Sequence, residues 1–134
     1  MEGLRVIGPG ERKPDVTSGA LLREAAISGR MVGAEKLWVG WAELGPGLVS
    51  EVHHHGEAES AIFIVSGHAR FHGGADLDEV HDAGPGDFIW VPPHFVHVEL
   101  NRSDTEPVRM IVARSTQEGI VVNVPAPEGW MSHG

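Results

Sequence analysis

Residues 47–67 read GLVSEVHHHGEAESAIFIVSG, and the rest of the chain is organised around them. Side chains two apart in a β-strand point to the same face, so a strand here directs His53 and His55 to one side and His54 to the other. Glu59 follows four residues after His55, and a short turn would return its carboxylate toward the same point. Two imidazoles and a carboxylate that converge are suitable ligands for a divalent metal ion. The stretch therefore predicts a metal site.

The composition limits the classes of protein to which the chain can belong. A length of 134 residues is that of one domain, with a core large enough to need no disulfides. The absence of cysteine and tyrosine excludes thiolate ligands, cysteine nucleophiles and phenolic acids. A net charge of −9 argues against a nucleic-acid partner, which needs Lys and Arg to neutralise phosphates. With no apolar run of membrane-spanning length and no signal-peptide core, we expect no membrane partner and a cytoplasmic protein.

The 18 glycines and 9 prolines lie between short apolar runs, which is typical of a β-barrel or sandwich. We therefore predict an all-β fold and interpret residues 75–84 as a polar link. The predicted strands, besides the metal-site strand, are residues 4–8, 35–44, 60–67, 68–74, 87–93, 95–100, 107–115 and 119–125.

One segment has a helical pattern. Residues 17–28, TSGALLREAAIS, begin with possible caps and are followed by Gly29 as a stop, and their apolar residues fit one face of a helix. We predict a short helix here that lies over one end of the sheet. The expected organisation is an N-terminal strand and helix (1–34) packed on a barrel (35–124), with a tail (125–134).

A second histidine lies in residues 86–101, GDFIWVPPHFVHVELN, where two prolines set a corner after which His97 can point inward. With both stretches in this order, the chain resembles the cupin superfamily. The first cupin motif is Gly, five residues, His-x-His, three or four residues, Glu, six residues, Gly. It is matched by Gly47, His53, His55 and Glu59, but Gly67 follows after seven residues. The second is Gly, five residues, Pro-x-Gly, two residues, His, three residues, Asn, and it is matched by Gly86, Pro92, His97 and Asn101, with His94 in place of Gly.

The resemblance covers about residues 35–114. It implies a double-stranded β-helix, the cupin jelly-roll barrel, with one divalent transition metal (Fe, Mn, Ni, Cu or Zn) held by His53, His55, Glu59 and His97. The extra residue before Gly67 leaves a slip open, in which the residue after Glu59 takes the glutamate position and three histidines remain. His94 would have to adopt the backbone conformation of the glycine, which histidine tolerates better than most residues.

Three further residues are candidate catalytic groups. Glu51 and Glu99 share strand parity with the histidines, so regular strands would point them inward as hydrogen-bond partners of ligand imidazoles. A local twist or bulge would instead turn them outward. His94 stands near the expected mouth of the barrel, either as an acid–base group or as a solvated surface residue.

Two functions are consistent with such a site. The first is a metal-dependent enzyme that acts on a small organic molecule, since the superfamily that the chain resembles includes dioxygenases, decarboxylases and isomerases. Dioxygenase-like chemistry is the preferred reaction. The second is a non-catalytic cupin that binds a small ligand, in which the metal is structural or captures the ligand. Open coordination positions would favour the enzyme, and a closed shell the binding protein.

The apolar runs near both ends of the chain, residues 4–8 and 120–124, lack the lysines and prolines that protect an exposed sheet edge. We expect a homodimer in which Val6 and Ile7 pack on the partner's sheet. The alternative is a monomer in which both ends pair within their own barrel.

Overall fold

A computed structural model of the protein describes residues 3–15, 18–117 and 121–130. Within them the fold is all-β, as predicted, with one 3-10 turn (Pro9–Glu11) and one turn of α-helix, α1 (Gly29–Val32). The strands are β1 (Lys13–Pro14), β2 (Leu22–Ile27), β3 (Trp38–Leu44), β4 (His53–His54), β5 (Ser60–Ser66), β6 (Ala69–Gly73), β7 (Glu79–Ala83), β8 (Phe88–Val91), β9 (His97–Asn101), β10 (Val108–Arg114) and β11 (Val122–Asn123).

The strands form two antiparallel sheets, the double-stranded β-helix that the resemblance implies. The larger sheet has the order β1-β2-β3-β10-β5-β8, and the smaller has the order β11-β4-β9-β6-β7. Apolar side chains that alternate along the central strands fill the space between the sheets. Examples are Trp38, Leu44, Ile64, Val108 and Met110, each at most 1% exposed.

Strand β9 is buried on both faces, and this positions the site. Phe71 of the barrel core pairs directly with Glu99, so His97 and Glu99 share its inward face. Val98 and Leu100 point the opposite way into a second apolar cluster, against which Val124 and Trp130 pack. Val124 and Trp130 thus cover part of the outer face of β9, while His97 and Glu99 point into the barrel.

The predicted helix at residues 17–28 is wrong. Residues 22–27 form strand β2, which pairs with β1 and β3, while residue 17 lies outside the described residues. Pairing along β3 outweighs the helical preference of Leu, Glu and Ala, because intrinsic propensity is a weak term. Helical structure begins only at the cap Ser28, whose Oγ accepts a hydrogen bond from the Met31 backbone N–H, and it ends at Gly33.

Two other strand predictions differ from the structure. Residues 4–8 form no strand, and Leu4 and Val6 are fully or almost fully exposed at 101% and 87%. The predicted polar link contains β7, an edge strand whose polar residues face solvent. Of the strand predicted at residues 119–125, residues 119 and 120 lie outside the described residues, and only Val122–Asn123 form a strand, β11. Among the described helices, none has the length and apolar character needed to cross a membrane.

Candidate metal centre

Three buried histidines converge inside the barrel. His53 of β4 pairs directly with His97 of β9, and their ring centroids are 4.3 Å apart. The ring of His55 lies 5.0 Å from that of His53 and 5.2 Å from that of His97. One nitrogen from each ring lies within 4.8 Å of the other two, and all three side chains are at most 3% exposed. The structure thus brings together the three histidines that the sequence predicts as ligands.

Backbone carbonyls orient two of these rings. His53 Nδ1 lies 2.7 Å from the carbonyl oxygen of Glu51, and His97 Nδ1 lies 3.0 Å from that of Phe95. Since a carbonyl only accepts, each Nδ1 carries the hydrogen and donates it. The Nε2 atom of each neutral ring is then left with a lone pair, which is the form that binds a metal.

The carboxylate of Glu99 faces these Nε2 atoms. Its Oε1 lies 3.3 Å from His97 Nε2, and its Oε2 lies 3.6 Å from His53 Nε2, with the side chain 2% exposed. Neither Nε2 has a hydrogen-bond partner among the described residues. A carboxylate oxygen that faces the lone pair of a buried imidazole at such distances is unfavourable unless a cation, either a proton or a metal ion, lies between them. The donor set therefore fits a divalent metal, with Glu99 as the carboxylate.

The pKa shifts of His53 and Glu99 favour a neutral imidazole and a charged carboxylate, which are the forms that bind a metal. Burial lowers the pKa of His53 to about 4 although Glu99 opposes the shift, so this ring is neutral at pH 7. Burial would raise the pKa of Glu99, but His53, His97 and Arg23 together lower it well below its usual value. For His97 burial acts to lower the pKa, yet Glu99 and the Phe95 carbonyl outweigh it and the pKa is raised. A metal would therefore have to displace a proton from His97.

Glu59, predicted as the fourth ligand, lies outside the group. Its side chain is exposed, and its Oε1 accepts a 2.6 Å hydrogen bond from Trp90 Nε1. The cause is the register of β5, which begins at the next residue and points Ser60, Ile62 and Ile64 inward. The slip left open by the extra residue before Gly67 is thus the arrangement observed. The carboxylate near the histidines comes from Glu99 instead.

The other sequence candidates lie away from the histidine group. The side chain of Glu51 is exposed, and only its carbonyl oxygen reaches the site, because this residue precedes β4 and strand parity does not apply to it. His54 points away from the group and its ring lies 6.0 Å from that of His94. His94 is exposed with a φ of 59°, so it does adopt the conformation of the glycine that it replaces.

Sequence reasoning missed two buried arginines. Arg23 of β2 is 3% exposed and Arg114 of β10 is 2% exposed. The Arg114 guanidinium lies 4.3 Å over the ring of Trp38. A signal was present in the sequence, since Arg114 continues the alternation of Val108, Met110 and Val112 and so belongs to the inward face.

A cavity of about 460 Å³ reaches the site from the side of His97. Phe71, Trp90 and Phe95 are among the residues that line it, between the edges of the two sheets. Its volume is within the range of pockets that hold small organic molecules.

Comparisons with known proteins agree with this architecture. Residues 40–114 match the family model for the cupin domain. The polyketide cyclase RemF from Streptomyces resistomycificus superimposes with a TM-score of 0.75 and 20% identity over 94% of this chain and 89% of that one. An uncharacterised double-stranded β-helix protein from Klebsiella pneumoniae superimposes with a TM-score of 0.70 and 19% sequence identity, over 92% of this chain and 99% of that one.

A third similar structure belongs to a longer enzyme. The formate complex of Lactobacillus farciminis oxalate decarboxylase gives a TM-score of 0.74 and 20% identity over 86% of this chain but 34% of that one. At these identities the likeness concerns the fold alone. No curated protein has a matching sequence.

Proposed function

The chain belongs to the cupin family, and we propose that it is a metal-dependent enzyme that acts on a small organic molecule, with dioxygenase-like chemistry first. His53, His55 and His97 would hold one divalent transition metal. Glu99 would replace Glu59 as the fourth ligand. The observation that carries the proposal is the buried carboxylate of Glu99 at 3.3 Å and 3.6 Å from two Nε2 atoms that lack hydrogen-bond partners in the described chain.

The donor set determines what such a centre can supply. Three imidazoles and a carboxylate suit Fe(II), Mn(II), Ni(II), Cu(II) or Zn(II) and leave positions for water, oxygen or substrate. When bound, the metal would supply Lewis acidity or a path for electrons.

The residues of the chain position and shield the reaction. The carbonyls of residues 51 and 95 hold the rings of His53 and His97 in their orientation. The aromatic side chains Phe71, Trp90 and Phe95 would bind the apolar part of a substrate in the cavity beside His97 and exclude water.

The fold does not select one reaction, because similar barrels serve different chemistries. One solved neighbour is described as a polyketide cyclase and another as an oxalate decarboxylase. Both are enzymes, so the fold is compatible with catalysis, and the preference for an enzyme rests on the donor set and the cavity beside it. The alternative, a cupin that binds a small ligand without turnover, differs in the coordination of its metal.

The test begins with elemental analysis of protein purified without added metal, followed by X-ray absorption of the loaded protein. We expect close to one equivalent of transition metal with nitrogen and oxygen ligands, and with water in one or two positions. A closed shell without water would favour the binding protein. Absence of metal, together with no binding of Mn(II), Fe(II) or Zn(II) at micromolar concentration, would refute the proposal. Oxygen consumption by the Fe(II)-loaded protein with candidate substrates then tests the oxygenase reaction.

A further inference from the structure

Arg114 is a buried cation whose side-chain nitrogens have no hydrogen-bond partner among the described residues. It ends β10 on the inward face, with 2% of the residue exposed. Its Nε and both terminal nitrogens lack a hydrogen-bond partner among the residues that the structure describes. Its one aromatic contact there is the face of Trp38, 4.3 Å from the guanidinium carbon. A guanidinium carries five N–H groups, so this burial leaves strong donors unsatisfied.

The guanidinium nevertheless remains charged at neutral pH. Burial is the main cause that lowers the pKa of Arg114, to about 9, and the nearby charge of Arg23 acts in the same direction. The carboxylates of Asp15 and Glu99 oppose the shift. Since a pKa near 9 lies above physiological pH, the donors keep their full charge there.

A second unsatisfied donor lies beside Arg114. Ser60 of β5 pairs directly with Arg114, and its side chain is 2% exposed. Its Oγ also lacks a hydrogen-bond partner in the described part of the chain. Directly opposed residues of an antiparallel pair have Cβ atoms about 4.5–5.5 Å apart, so the two side chains leave the barrel wall at neighbouring positions.

The charges around these two side chains favour an anion. Glu99 influences the pKa values of both Arg23 and Arg114, which places the arginines and the histidine group in one electrostatic environment. Two arginines and the carboxylates of Asp15 and Glu99 balance one another. A divalent metal at the histidines would leave this interior with two excess positive charges, and buried charges are stable only when paired.

We propose that Arg114 and Ser60 form a subsite that binds the carboxylate of a small organic acid inside the barrel. The planar guanidinium matches a carboxylate with two parallel hydrogen bonds, and the serine hydroxyl can donate a third. The proposal deepens the proposed function by naming its substrate class, and it rests on that function in treating the acid as substrate and in the charge that a metal would add. The unsatisfied donors of Arg114 and Ser60 are present without the metal, so we expect them to bind the carboxylate in the metal-free protein as well.

The test compares charged and neutral probes of equal shape on the metal-free protein. Oxalate, malonate and succinate are titrated beside oxamide, malonamide and succinamide, with binding followed by NMR. We expect at least one acid to bind about 10-fold or more tightly than its diamide, the minimum expected for hydrogen bonds to a charged group. Arg114→Met should abolish this preference. The matched control is Arg109→Met, since Arg109 lies on the same strand but is exposed and paired with Glu43.

A serine pair provides a second test should Arg114→Met fail to fold. Ser60→Ala should weaken binding of the acid several-fold. Ser66→Ala, at the other end of β5 and also without a partner for its Oγ among the described residues, should leave it unchanged. The proposal is overturned if wild-type protein binds acids and diamides equally, or if folded Arg114→Met keeps the preference for acids. In the first case Arg114 is a structural cation held against Trp38.

The same titrations on Mn(II)-loaded protein separate the two proposals. If the metal-free protein shows the preference that depends on Arg114 but binds no metal, the subsite stands and the metalloenzyme is refuted. If metal binds but Arg114→Met leaves the affinity for acids unchanged, the metal centre stands and the subsite is refuted.

Discussion

Strand β9 and the segment of residues 51–59 lie side by side at the histidine group, and the sequence predicts inward-pointing glutamates in both: Glu99 and Glu51 by strand parity and Glu59 through a short turn. In β9 the prediction holds, because five paired residues that are buried on both faces keep strict alternation and point His97 and Glu99 to the same side. In residues 51–59 only His53 and His54 belong to a strand. Glu51 and Glu59 accordingly point outward. Parity therefore extends as far as His55, one residue beyond the paired strand, and fails at Glu51 and Glu59.

The largest effect is expected from removing the histidine that β9 contributes. His97→Ala removes one of three converging nitrogens and should abolish tight binding of a divalent metal, measured by isothermal titration calorimetry. His54→Ala changes the same residue type on β4 but removes a ring that points to His94. The metal affinity of His54→Ala should stay within a few-fold of that of the wild-type protein. Unchanged affinity in His97→Ala would show that the site is assigned wrongly.

A comparison of the two glutamates is the sharper test. Glu99→Gln replaces the buried carboxylate that faces the histidines, and we expect metal affinity to fall by on the order of 100-fold, at least the loss seen when partners outside the ligand set are removed. Glu59→Gln changes an exposed side chain that accepts a hydrogen bond from Trp90, and its affinity should remain that of wild type.

The reverse result has a definite meaning. If Glu59→Gln lost affinity and Glu99→Gln did not, the chain before β5 would rearrange on binding metal, and the glutamate of the first cupin motif would be the ligand after all. Near-ultraviolet circular dichroism of both variants shows whether the fold has been kept.

Much of the fold and part of the site were predictable because they depend on local periodicity. The strands around Trp41, Phe63 and Met110 alternate clearly, and the spacing of His53 and His55 fits a short strand. The predictions that failed concern residues whose structure depends on tertiary contacts. Residues 22–27 have a helical composition but complete the larger sheet.

Edge strand β7 was missed for a related reason. Its exposed residues are polar except for Val80, so it carries no alternation of apolar residues. Arg114 was missed because a charged residue at an inward position contradicts the usual rule that only apolar residues fill a core. Positions at which a residue contradicts the pattern around it are expected to be functional or strained sites.

The smallest effect on the metal centre is expected from the N-terminal segment, which contributes no residue to the histidine group. Leu4 and Val6 are exposed at 101% and 87%, and residues 3–8 pair with no strand of the described chain. Exposed apolar side chains in an extended segment suit the edge of a second sheet better than solvent. We therefore expect a homodimer in which Val6 and Ile7 pack on the partner's sheet.

Deletion of residues 1–9 tests this assembly, since light scattering coupled to size exclusion reports the mass directly. The full chain should elute at twice 14.4 kDa at micromolar concentration, and the truncated chain should shift toward the monomer. Metal affinity should be retained, because neither the three histidines nor Glu99 lies in the deleted segment. A full-length mass near 14.4 kDa would exclude the dimer. Loss of metal binding on truncation would show instead that this segment supports the barrel that holds the histidines.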